Sequence, residues 1–253
     1  MQSDHLSFTT DIWTETHSNV AYISLTAHWL SPDFSPKMFL LHVKRFKGQH
    51  SASNIAATLD EMLNKWDLRD RVHVFIHDNA ANVVKASRDF TNVDYFTCAA
   101  HTLQLVVADA IDSQRAVRDA LAVSRSLVGH FNKSVKATEQ LETVQLENFP
   151  DAPPKSLLQD VATRWTSTFY MVQRLVELRR VLGLYIVEYG ADGFRPLDSN
   201  QWNLMEKLVE LLRPFEQMTR DFSRESAAAS LSIPSARMMN STLSKMQDGG
   251  LGT

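Results

Sequence analysis

The 253-residue sequence predicts an α/β unit followed by an all-α one. Three observations lead there. Apolar residues alternate with period two in several short runs up to about residue 113 and not beyond it. From that point the apolar spacing is helical. Proline and glycine gather between the helical runs, in NFPDAPP and YGADGFRPLDSN, where helix ends need them.

Taken in order, LSFTTDIWT reads as a strand, and the polar loop ETHSN leads to VAYISLTAHWL. In that second strand Ile23, Leu25, Ala27 and Trp29 share a face. SPDFSP separates it from a third strand, KMFLLHVKRF, and such short connections describe an antiparallel meander. After KGQH, the spacing of Ile55, Leu59, Met62, Leu63 and Trp66 is that of an amphipathic helix. The helix feeds a strand, RVHVFIH, with Val72, Val74 and Ile76 alternating, and then Asp78 and a short helix containing Val83 and Val84. DYFTC is the last strand, followed by AAHTLQLVVADAI with a face of Leu103, Val106, Val107, Ala110 and Ile111. The order β-β-β-α-β-α-β-α is that of the ribonuclease H-like mixed sheet, in which the first and fourth strands are neighbours. The expected division is a ribonuclease H-like core over 1–112 and an all-helical domain over 113–248, which the resemblance given below makes an incomplete core and an insertion. Helical patterns cover 115–133, 134–146, 157–188 and 199–222, and Pro214 should kink or divide the last.

Composition narrows the setting. Hydrophobic residues at 44% suffice for a core. A single cysteine, Cys98, excludes an intramolecular disulfide and fits a reducing compartment. No apolar run approaches membrane-spanning length, and MQSDHLSFTTD lacks the basic and apolar regions of a secretory signal, so no membrane partner is expected. A formal charge of −3 gives no global pull toward nucleic acid; binding would need a local patch, a cation or another module. The strand beginning almost at residue 1 and the glycine-rich end, KMQDGGLGT, suggest a piece of something longer.

Asp78 stands where a strand gives way to a helix, a position at which α/β proteins collect ligands and catalytic groups. It can be read as a simple helix cap. With the first and fourth strands adjacent, it would instead face Asp11. Two carboxylates that close repel, and both stay ionised only with a cation between them. Magnesium takes oxygen ligands of this kind, and a pair of such ions clamps the reacting oxygens in phosphoryl transfer.

Seven segments then fall into place: FTTDIWT, AYISLTAHW, GQHSASNIA, HDNAANVVKA, CAAHTLQLVV, LLQDVATRWTSTFYM and LLRPFEQMT. In order and spacing they resemble the catalytic region of hAT-superfamily DNA transposases, and most closely the BED-zinc-finger proteins derived from them. The resemblance implies a ribonuclease H-like core with a helical insertion after its fifth strand and three acids holding two Mg²⁺. Asp11 and Asp78 match the first two acids, as catalytic residues and metal ligands. The third, a glutamate after the insertion, belongs near a C-terminal dimerisation region that this chain does not reach. Glu225, Asp109 and Asp112 are poor substitutes.

Cys98 and His101 form a lone C-x-x-H with no second ligand pair for zinc. The resemblance makes them active-site support; a buried thiol and a satisfied histidine are the plain alternative. Arg164 and Trp165 match a pair implicated in DNA binding, the tryptophan stacking on a flipped base and the arginine meeting a phosphate. The plain alternative packs Trp165 beside Met171 and Leu175. Lys133, Lys136, Arg174, Arg179 and Arg180 are too scattered to define a groove, with Asp160 and Glu177 among them. The expectation is therefore a nuclear, DNA-associated fragment, a homodimer or oligomer through a C-terminal region absent here, and without catalytic competence by itself. The alternative is the core of an active, Mg²⁺-dependent cut-and-paste transposase.

Overall fold

The computed structural model describes residues 6–15, 17–89, 93–224 and 229–248. The chain divides into two compact units, 1–102 and 103–253, with the boundary inside a helix. That is nearer the N-terminus than the expected division at 112.

In the first unit, β1 (Leu6–Glu15), β2 (Val20–Leu30) and β3 (Pro36–Arg45) form the meander, followed by α1 (Ala52–Lys65), β4 (Val72–His77), α2 (Ala81–Arg88), β5 (Asp94–Thr97) and the start of α3 (Ala99–Ser113). The sheet order is β3-β2-β1-β4-β5. β1 is antiparallel to β2 and parallel to β4, so the first and fourth strands are neighbours as expected. Alternation decides the faces. Leu6, Phe8, Ile23, Leu25 and Phe75 turn to one side and are buried with Ile55, Leu59, Met62 and Leu63 of α1. Ser51 opens α1 by accepting a hydrogen bond from the Asn54 N–H. A register shift between Leu25 and Thr26 leaves Leu41 as the extra residue of β3, and it too is buried in this core. β3 is an edge strand, on which Met38, Phe39, Leu40 and Val43 are exposed.

The second unit is helical among its described residues. Its helices are the rest of α3, α4 (Arg115–Lys133), α5 (Val135–Asn148), α6 (Trp165–Glu177), α7 (Arg179–Tyr189), α8 (Ser199–Phe222) and α9 (Ser232–Met246). Its core joins Val107 and Ile111 to Leu121, Phe131, Val144, Phe169, Leu175, Leu182 and Met205. The continuous helix expected over 157–188 is corrected. The chain has neither helix nor strand between 149 and 164, and the helical stretch breaks at Leu178, whose ψ of 7° departs from helical geometry. Pro153 and Pro154 lead this irregular segment. Leu157 gave it a helix-like apolar spacing because it is buried in the core from an irregular backbone. Pro214 does not divide α8, which runs through it as one helix and opens with a full capping box from Asp198 and Gln201. Among the described residues no helix is long and apolar enough to cross a membrane.

Candidate functional site

β1 and β4 deliver the two aspartates. Their parallel register pairs Ser7 with Val74, Phe8 with Phe75 and Thr9 with Ile76. Continued two residues further, it brings Asp11, midway along β1, level with Asp78, the residue just past the carboxyl end of β4. Asp11 is exposed and shares its face of β1 with Ser7 and Thr9, away from the buried row of Leu6, Phe8 and Thr10. Trp13 stacks on Tyr22 at the strand end, ring centroids 5.6 Å apart.

Asp78 is half-buried and held from several directions. Its Oδ1 accepts from the Ala80 N–H at 3.1 Å, a local turn that leads into α2. The helix cap itself is Ala80, so Asp78 is not the N-cap. Its carbonyl accepts from His77 Nδ1 at 2.6 Å, and the His77 ring is buried and stacked on Tyr95. Asn79 donates to the Thr102 hydroxyl at 3.1 Å, tying the loop after β4 to α3.

Cys98 and His101 arrive from the next strand. β5 pairs with β4 as far as His77 and Thr97, and the Cys98 N–H donates to the His77 carbonyl at 2.6 Å. Cys98 is half-buried immediately before α3, with His101 half-buried in the first turn. The Cys98 carbonyl accepts from the Thr102 N–H and hydroxyl. Asp11 within β1, Asp78 just past β4 and Cys98 just past β5 therefore stand on three adjacent parallel strands, the part of the expected site that one sheet can assemble.

A divalent ion finds an incomplete set there. Asp11 and Asp78 offer hard oxygen donors, as Mg²⁺ requires. Among the described residues, however, no three histidine, cysteine, aspartate or glutamate side chains come together to hold a metal. Asp109 and Asp112 are exposed on α3. Glu225 lies outside the described residues. With two carboxylates and no third, the residues in hand do not make a full two-ion centre.

Arg164 and Trp165 belong to the second unit. Arg164 is exposed at the N-cap of α6, its carbonyl accepting from the Ser167 hydroxyl at 2.7 Å. Trp165 is 2% exposed, packed in the helical core, with its indole N–H unpartnered. Its ring lies edge-on to Phe169 at 6.5 Å. In this conformation the indole is a core residue and only the arginine faces solvent.

One residue here was misjudged in the sequence. Asp160, read as one charge among many on a helix surface, is an anchor for the segment before α6. Its side chain is 2% exposed. Arg125 of α4 donates to both of its oxygens, and the Thr168 hydroxyl donates at 2.8 Å. Burial pushes its carboxyl up, but the bonds from Arg125, Thr168 and Gln159 outweigh that and hold it below its ordinary value. Gln104 of α3 fixes the same segment by donating to the Thr163 carbonyl at 3.0 Å. The sequence signal available was a lone aspartate four residues before Arg164, too little to separate it from a solvated charge. Arg174, Arg179 and Arg180 are likewise engaged locally: with Glu177, with Glu206 and Trp202, and over the Phe149 ring.

Comparison with known families agrees with this architecture. The ZBED1 RNase-like domain matches residues 9–97, and the ZBED1 RNase-like helical domain matches 96–211. Human zinc finger BED domain-containing protein 6 is 30% identical over 98% of this chain, and human zinc finger BED domain-containing protein 4 is 29% identical over 99%. A Zea mays protein bearing the name of an AC transposase is 25% identical over 84% of the chain. The chain spans 26%, 22% and 28% of those three relatives respectively. With a ribonuclease H-like sheet, a helical unit after it and both domain matches in sequence, the chain belongs to the BED-type proteins derived from hAT transposases.

Proposed function

We propose that this chain is the DNA-associated central part of a nuclear BED-type protein and that it does not cleave DNA by itself. The observation that carries the reading is the aspartate pair on the adjacent strands β1 and β4, Asp11 within the first and Asp78 just past the second, in a family derived from DNA transposases, without a third acid beside it among the described residues. Asp11 and Asp78 would form one edge of a Mg²⁺ site, and Cys98 would help fix the strand ends around it. Arg164 would meet a phosphate. Trp165 would stack on a base only after leaving its core position. Sequence specificity would come from a zinc finger elsewhere in the protein, and self-association from a C-terminal region outside this chain.

The retained pair of aspartates also supports a second reading, the core of an active metal-dependent transposase whose third acid comes from outside these residues. Binding of a fluorescent DNA duplex, followed with and without Mg²⁺, separates the two. The proposal expects salt-sensitive binding and intact strands. Metal-dependent nicking by this chain would favour the transposase reading, and no binding across a range of duplexes would remove the DNA association.

A further inference from the structure

The segment GQHSASNIA joins β3 to α1, and the site described above leaves it without a role. Its first residues are fixed with unusual care for an exposed loop. The Asn54 side chain donates to the carbonyls of Lys47 and Gln49, at 3.1 and 2.9 Å. Asn82, from the HDNAAN segment on α2, donates to the His50 carbonyl at 2.8 Å. Gly48 between them has φ +83°, a conformation that favours glycine. Two helices thus hold one short loop in a single shape.

Cavities of about 550 and 410 Å³ lie on this loop, and His50 lines both. Lys85 borders the first, Arg45 and Lys47 the second, and Asp89 is the one acid among the described residues lining either. Arg45, Lys47 and Lys85 are exposed, and none takes part in a salt bridge among the described residues. Lys44, next to Arg45 in β3, is by contrast paired with Glu61. Topology fixes which end of the sheet this is. β3 runs antiparallel to β2 and β2 to β1, so the carboxyl end of β3 lies at the same end as Asp11 and Asp78.

We propose that Arg45, Lys47 and Lys85, set along two cavities that meet at His50, bind phosphates of one DNA strand beside the aspartate pair. Fixed placement suits this task, because β3, the held loop and α2 set the backbone positions of Arg45, Lys47 and Lys85, so that contact has to order side chains alone. The inference rests on the DNA association proposed above and gives it a location on the first unit.

The test is the salt dependence of duplex binding by fluorescence anisotropy, with wild type, Lys47→Gln/Lys85→Gln and Lys37→Gln/Lys65→Gln. The last pair changes charge equally at the start of β3 and the far end of α1. Each phosphate contact contributes about 0.9 to the slope of log affinity against log salt, so the first double variant should lose about 1.8. Its drop in affinity between about 0.05 and 0.2 M salt should then be about twelvefold smaller than that of wild type, while the second variant keeps the wild-type slope. A wild-type slope in the first variant, or equal losses in both, overturns this site and leaves DNA association standing. Failure of wild type to bind removes both. Should the double variant melt below wild type, the single substitutions Lys47→Gln and Lys85→Gln replace it, each expected to lower the slope by about 0.9.

Discussion

Trp165→Ala separates a core tryptophan from a DNA-reading one. The indole is 2% exposed, so truncation returns most of an aromatic burial, about 200 Å² at roughly 25 cal/mol per Å², to the unfolded-state balance. That is about 5 kcal/mol. The indole N–H has no partner, and removing a buried unsatisfied donor gives back about 1–3 kcal/mol. The net destabilisation is then roughly 2–4 kcal/mol, near the low end of large-to-small core substitutions. For a unit of this size it lowers the melting temperature by about 4–16 °C. Far-UV circular dichroism at 222 nm reads it directly, because the affected unit is helical. Trp165→Phe removes the orphan donor while keeping most of the apolar contact, and its melt should fall within a few degrees of wild type. A Trp165→Ala melt indistinguishable from wild type would refute the core assignment and return the indole to solvent.

Three further outcomes follow from the geometry. Asp160→Asn should cost roughly 2 kcal/mol at neutral pH, below the 3–5 of a fully buried pair because Arg125 stays 36% exposed. Since the Asp160 carboxyl is held below its ordinary value, its contribution is present above about pH 4 and is lost as pH falls through the folded value. Urea midpoints for wild type and variant should therefore converge in acid, and a constant gap down to pH 2 would show that the charge is not what matters. Arg164→Ala should leave the melt unchanged, because the side chain is exposed, and lower the salt slope of duplex binding by about 0.9. Calorimetric titration with Mn²⁺ should show binding that Asp78→Asn abolishes; equal affinity in the two proteins would end the metal-pair reading.

Legibility in the sequence followed the kind of force at work. The alternating rows of β1 and β2 were readable because one face of each is buried, whereas β4 is buried on both, with Val74 on one side and Phe75 and His77 on the other; the strand order then placed Asp11 beside Asp78. Helices with an apolar stripe, α1, α3 and α4, were equally plain. The 149–164 segment was not, since Leu157 packs into the core from an irregular backbone and mimics a helical period. Pro214 was misjudged for a different reason: one absent N–H is tolerated in a long helix whose flanking residues are buried along one side. Asp160 and the pair Asn54 and Asn82 were invisible, because each acts through a partner that only the fold supplies. Trp165 shows the limit from the other side, as a motif match marked the position while its burial had to come from packing.

The outer strand β3 also decides how this stretch of chain behaves once produced. Pro36 and Lys37 guard one end and Lys44 and Arg45 the other, the kind of gatekeepers that discourage edge-to-edge pairing. Between them Met38, Phe39 and Leu40 stand open to water on an unpaired backbone edge. An apolar rung of this kind on an edge strand favours strand addition between copies at high concentration, and the flanking proline and basic residues work against it.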